Sequence, residues 1–174
     1  MKSRTIATII LSALAAALAP GRAHAQVEPF KVSGKGIVDF IPLIPGQAAP
    51  HDADGTATHL GRYHAEGLVR LDDFTGPTTA EFSSAEPVVF TAANGDELHF
   101  DYAGTVELVP LGGGRFVTVW VAEFTPAAGS TGRFANVIGG SFIMTAVTDP
   151  FAPGDTDIAY EWEGNGTLEF GRGK

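Results

Sequence analysis

Between its glycines and prolines the chain alternates apolar and polar residues with period two, the mark of β-strands rather than helices. The alternation predicts eight strands, roughly Glu28–Phe40, Ala57–Leu71, Thr79–Ser83, Pro87–Ala93, Glu97–Val109, Arg115–Thr125, Gly140–Thr148 and Asp157–Phe170. Asn94-Gly95 is the strongest hairpin signal, expected as a two-residue turn with positive φ at both positions. Gly112-Gly113-Gly114 serves the same purpose before Arg115. Gly164-Asn165-Gly166 interrupts the last strand and reads as a bulge or sharp bend. Ile41 to Thr56, with Pro42, Pro45 and Pro50, reads as a long loop of the kind that forms lids or binding sites.

The alternation also gives each strand an inside. Leu98, Phe100, Tyr102, Gly104, Val106 and Leu108 share one face of the fifth strand, and His99, Asp101, Thr105 and Glu107 share the other. In the eighth, Ile158, Tyr160, Trp162, Leu168 and Phe170 oppose Glu161, Glu163 and Glu169. The sixth strand is apolar on both faces near its middle, so its inward side stays open. Full burial of each inward aliphatic or aromatic residue contributes roughly 1.5–3 kcal/mol. About twenty such residues offset the ordering entropy of one domain of this size. Long strands with one polar face and few helices fit an all-β fold, an eight-stranded antiparallel barrel whose closure removes exposed sheet edges. A two-sheet sandwich is the alternative. A barrel of eight strands is just wide enough to be filled by side chains or to hold one small ligand.

The N-terminus changes the picture of where the barrel works. Lys2 and Arg4 precede an uncharged apolar stretch from Thr5 to Ala19, and Ala23-His24-Ala25 is a small-x-small cleavage site. Residues 1–25 therefore read as a cleaved signal peptide, and 26–174 as a single barrel domain that is periplasmic or secreted. With Lys2, Arg4 and Arg22 removed, eight basic residues face twenty acidic ones, a formal charge of −12. Such a surface repels nucleic acid and anionic membrane, so neither is expected as a partner. The chain has no cysteine, which rules out disulfides, thiol catalysis and zinc–thiolate sites.

Candidate chemistry centres on the strand through Thr58–Leu71. Arg62, His64, Glu66 and Arg70 share a polar, outward face, which turns His59 and Tyr63 toward the axis. A histidine inside a barrel can act as a general base, a proton shuttle or a metal ligand. The competing reading is a core histidine whose nitrogens meet backbone or hydroxyl partners. His59 and Tyr63 are the candidate proton-transfer groups. Tyr102, Trp120, Tyr160 and Trp162, with Tyr63, can line an aromatic cavity, or serve simply as core. Asp52 and Asp54 with His51 could bind a cation at the barrel mouth. They lack the third oxygen ligand and distal glutamate of a calcium loop, and read as a solvated turn. No nucleophile elbow, phosphate loop or zinc helix is present, and no metal or cofactor is expected.

Two segments carry a likeness to a known group. Gly55-Thr56-Ala57-Thr58-His59-Leu60-Gly61-Arg62-Tyr63 resembles the second strand of small secreted bacterial proteins with an allene oxide cyclase-like barrel. Ser130-Thr131-Gly132-Arg133-Phe134-Ala135-Asn136 followed by Gly139-Gly140-Ser141-Phe142 resembles the glycine-rich turn that precedes a late strand in that group and in dirigent proteins. Ser130 stands where that turn usually has glycine, and Val137-Ile138 is bulkier than usual. The resemblance implies a calycin-type barrel with a ligand-sized cavity. Plant members cyclise a fatty-acid epoxide or steer phenoxy-radical coupling, but their catalytic residues do not map onto this chain. The resulting expectation is a monomer or homo-oligomer that binds a small apolar or aromatic molecule in its interior. The alternatives are a cyclase or isomerase acting in that cavity, and a non-catalytic extracellular scaffold.

Overall fold

The computed structural model describes residues 25–171. The signal reading of residues 1–25 thus falls, except for Ala25, outside the described residues. Eight strands form the fold: β1 (Gln26–Val38), β2 (Ala48–Ala57), β3 (Gly61–Phe74), β4 (Thr79–Ala92), β5 (Glu97–Gly112), β6 (Arg115–Pro126), β7 (Val137–Thr148) and β8 (Ile158–Phe170). Each pairs antiparallel with the next in sequence, and β8 returns to β1, so the sheet is a closed barrel and not a sandwich. The closing seam is regular from Gln26↔Phe170 to Val38↔Ile158. Closure leaves no unpaired sheet edge in the wall.

The strand count of eight holds, but two of the expected boundaries do not. The expected loop from Ile41 to Thr56 contains β2, in which Ala49, Ala53 and Ala57 point inward. The two short strands expected at Thr79–Ser83 and Pro87–Ala93 are one strand, β4. Its register against β5 shifts between Ser83 and Val88, where Pro87 has no N–H to donate. The Ser84 hydroxyl accepts from the Tyr102 amide at 3.2 Å and bridges the irregular stretch.

Two turn readings also change. Gly95 has φ +84, but Asn94 does not share its positive φ. The Gly95 amide donates to the Ala92 carbonyl and the Ala92 amide to the Asp96 carbonyl, both at 2.9 Å. That is a three-residue loop closed by a glycine bulge, not a two-residue primed turn. Gly164-Asn165-Gly166 is no bulge either, because β8 keeps register with both neighbours through it. A Cβ on Gly164 would lie 2.7 Å from the Phe142 ring, and one on Gly166 would lie 2.0 Å from the Ser141 carbonyl oxygen. Both positions are glycine because the neighbouring strand passes so close.

Phenylalanine fills the barrel at the end where β1 begins and β8 finishes. Phe30, Phe100 and Phe142 are buried there with Leu98 and Leu168. Phe30 and Phe100 each sit 5.1 and 5.9 Å apart from a ring of the same cluster, Phe142 and Phe30 respectively, and Phe100 meets Phe142 edge-on. The segment after β6 extends the ladder of β5, with Ala127 donating to the His99 carbonyl and Thr131 to the Glu97 carbonyl. It ends in a short 3-10 turn, Gly132–Phe134, that carries the buried Phe134.

Candidate functional site

With one end packed, the remaining interior holds a chamber of about 80 Å³ lined by sixteen side chains drawn from all eight strands. The alternation of each strand places them: inward residues recur every second position, so every strand contributes, β1 through its last residue, Val38. Val38, Ala53, Ala65, Val69, Val88, Met144 and Ala146 supply aliphatic wall, and Phe82, Phe90, Phe124, Trp120 and Trp162 supply aromatic wall. Small residues on β2, β3 and β7 leave the space open. Larger ones at Ala53, Ala65 and Ala146 would fill it.

His51 is the polar element of this wall. Its Nε2 lies 2.9 Å from the Tyr102 hydroxyl and its Nδ1 3.3 Å from the Tyr160 hydroxyl. Tyr160 donates its own proton to the Asp52 carbonyl at 2.9 Å. Its oxygen is therefore the acceptor for His51 Nδ1–H, which leaves Nε2 bare to accept from Tyr102. One directed chain results, from Tyr102 through His51 and Tyr160 to the β2 backbone. The ring rests against β3 at Gly67, where a Cβ would come within 2.7 Å of Nε2. Gly36 makes equal room for Tyr160, with a Cβ there 2.5 Å from its Cζ.

Burial sets the protonation states. It pushes His51 down to about 4, so the imidazole is neutral at neutral pH. Burial also raises Tyr102, and burial with the nearby Asp52 charge raises Tyr160, so both phenols keep their protons. A second polar pair lies beside the chamber: Trp120 Nε1 donates to Thr118 Oγ1 at 2.6 Å, and the Thr118 amide to Thr148 Oγ1 at 2.8 Å.

The sequence-derived site residues separate into two groups. Tyr102, Trp120, Tyr160 and Trp162 all line the chamber. His59 does not point to the axis. It sits in the turn between β2 and β3 at φ +69, because the chain reverses at Thr58–Leu60 and the β3 alternation does not extend back through it. Its ring packs edge-on against Phe170 at 5.5 Å, and its Nε2 is buried without a partner. Tyr63 does point inward, but below the chamber: its ring packs on Phe90 at 5.0 Å and its hydroxyl donates to the Ser33 carbonyl at 3.2 Å. Trp162 Nε1 has no hydrogen-bond partner. His59 and Tyr63 thus form no common site.

Asp52 and Asp54 are exposed on the outer face of β2 and not in a mouth loop. Asp54 meets His64 at 3.1 Å. Among the described residues there is no group of three or more side chains placed to hold a metal. The residue missed by sequence reasoning is His51. Its signal was present: Ala49, His51, Ala53, Gly55 and Ala57 alternate with polar residues, a strand whose inward side chains are small. Pro50 and the two aspartates gave the stretch the look of a loop.

Searches against protein-family models, curated proteins and solved structures gave no match to this chain.

Proposed function

We propose that this protein binds a small apolar or aromatic molecule inside its barrel, after export to the periplasm or beyond. The observation that carries this reading is the carbon-lined chamber, kept open by Ala53, Ala65 and Ala146 in an interior otherwise packed with phenylalanine. Ligand sites are mostly apolar concavities with few polar groups, and those here converge on His51. The apolar N-terminal stretch with its Ala23-His24-Ala25 motif supports export. The two segments that resemble allene oxide cyclase-like barrels support a calycin-type assignment. The acidic surface disfavours nucleic acid and anionic membrane as partners. The test is to purify the protein from the exported fraction, extract it with solvent and identify any retained molecule by mass spectrometry. Returning that molecule should change the emission of Trp120 and Trp162, and Ala146→Leu should abolish the change. An empty extract and a silent titration would leave the scaffold reading in its place. Intact mass should show a chain starting at Gln26.

A second reading, an isomerase or cyclase, draws on one observation: His51 stands between two hydroxyls in a carbon-lined chamber. His51→Gln would then retain binding and lose turnover.

A further inference from the structure

We infer that the chamber selects uncharged, hydrocarbon-like molecules of about one ring in size and rejects carboxylates and long chains. This rests on the ligand-binding reading above and narrows it.

Size gives the first limit. A water needs about 10–15 Å³ by the same measure, so about 80 Å³ holds on the order of half a dozen waters or one small ring. The phenylalanine cluster of Phe30, Phe100 and Phe142 closes the barrel axis on one side of it, so an extended acyl chain cannot continue past the chamber in that direction.

The polar inventory gives the second limit. The wall is almost wholly carbon. Its principal polar groups are spent on one another: Tyr102 donates to His51, His51 to Tyr160, and Tyr160 to the Asp52 carbonyl. A ligand carboxylate or carbonyl entering beside them would have to break that chain to obtain a donor there, and the unpartnered Trp162 Nε1 lies against the β1 wall, 2.8 Å from where a Cβ on Gly34 would stand. No lysine or arginine lines the chamber, and its titratable groups are His51, Tyr102 and Tyr160, all uncharged at neutral pH. An anion would leave water for a site without a counter-charge, which is strongly unfavourable. A hydrocarbon loses nothing by the same transfer, and apolar cavities of this kind stay dry and accept such guests.

The experiment titrates the purified protein with toluene, benzoate and dodecanoate at pH 7.5, following binding by ligand-observed NMR and tryptophan emission. Toluene should bind, and benzoate about a hundredfold more weakly or not at all. Ala146→Leu and, independently, Ala65→Leu should each weaken toluene at least about tenfold, with a cooperative melt showing that the barrel is intact. Benzoate or dodecanoate binding as tightly as toluene, with loss in the filled variants, would overturn the selectivity and keep the ligand-binding reading. No binding of any of the three up to its solubility would overturn both.

Discussion

His51 ionises near 6.5 in an unfolded chain and near 4 in the barrel. Below 6.5 the unfolded chain therefore holds more protons than the folded one. The neutral ring's contribution is complete above that value and declines as pH falls toward 4. The total loss is about 3 kcal/mol, a large part of a typical domain's stability. The groups facing the ring are Tyr102 and Tyr160, and neither is a carboxylate that could hold the imidazolium. Urea midpoints at pH 7 and pH 4 should fall further in the wild type than in His51→Gln, which has no proton to take up. Parallel losses in the two proteins would show that the imidazole is not the acid-sensitive group. His59 provides the contrast. It lies outside the chamber, packed on Phe170. His59→Ala should cost stability through that lost contact while leaving toluene affinity unchanged in the NMR titration.

The strands show how much of this was legible in the chain. β1, β5 and β8 were visible because each alternates apolar with polar residues over much of its length, and β6 because its run of β-branched and aromatic residues follows a glycine turn. β2 was not, because its inward positions are Ala49, His51, Ala53, Gly55 and Ala57, and small residues carry little hydrophobic signal. That disguise has the same origin as the chamber: the residues that leave room are those that a hydrophobic pattern overlooks. Hence Tyr102, Trp120, Tyr160 and Trp162 were readable as lining, whereas His51, their hydrogen-bonded neighbour, was not. The glycines of β8 follow a similar logic, since their spacing looks like a break until Phe142 is seen against them. Gly166→Ala would drive a methyl into the Ser141 carbonyl, at 2.0 Å before relaxation, so β7 or β8 must shift. We expect a loss of about 1–3 kcal/mol, the cost typical of overpacking. A chemical denaturation curve measures it, and a neutral result would mean that the seam between these strands yields more easily than its regular register suggests.

For the whole molecule, closure and charge act against each other. The barrel is held by its interior and its unbroken ladder, with no disulfide to help. Its surface carries a large acidic excess, twenty acidic residues against eight basic ones in residues 26–174. Folding brings those carboxylates together, and their repulsion acts against the compact state. The ion pairs that salt would weaken lie at the surface and are at least partly exposed: Lys35–Glu161, Arg70–Asp72 and Arg133–Asp96 are among them. Each such surface pair contributes about 0–1 kcal/mol, so screening them removes little. Relief of the general repulsion should therefore win. Raising potassium chloride from about 10 mM to about 0.5 M, which shortens the screening length from about 30 Å to below 8 Å, should raise the melting temperature by several degrees. A melting temperature that falls with salt would mean that these few pairs outweigh the acidic field, and that the barrel owes more to its surface than its packed interior implies.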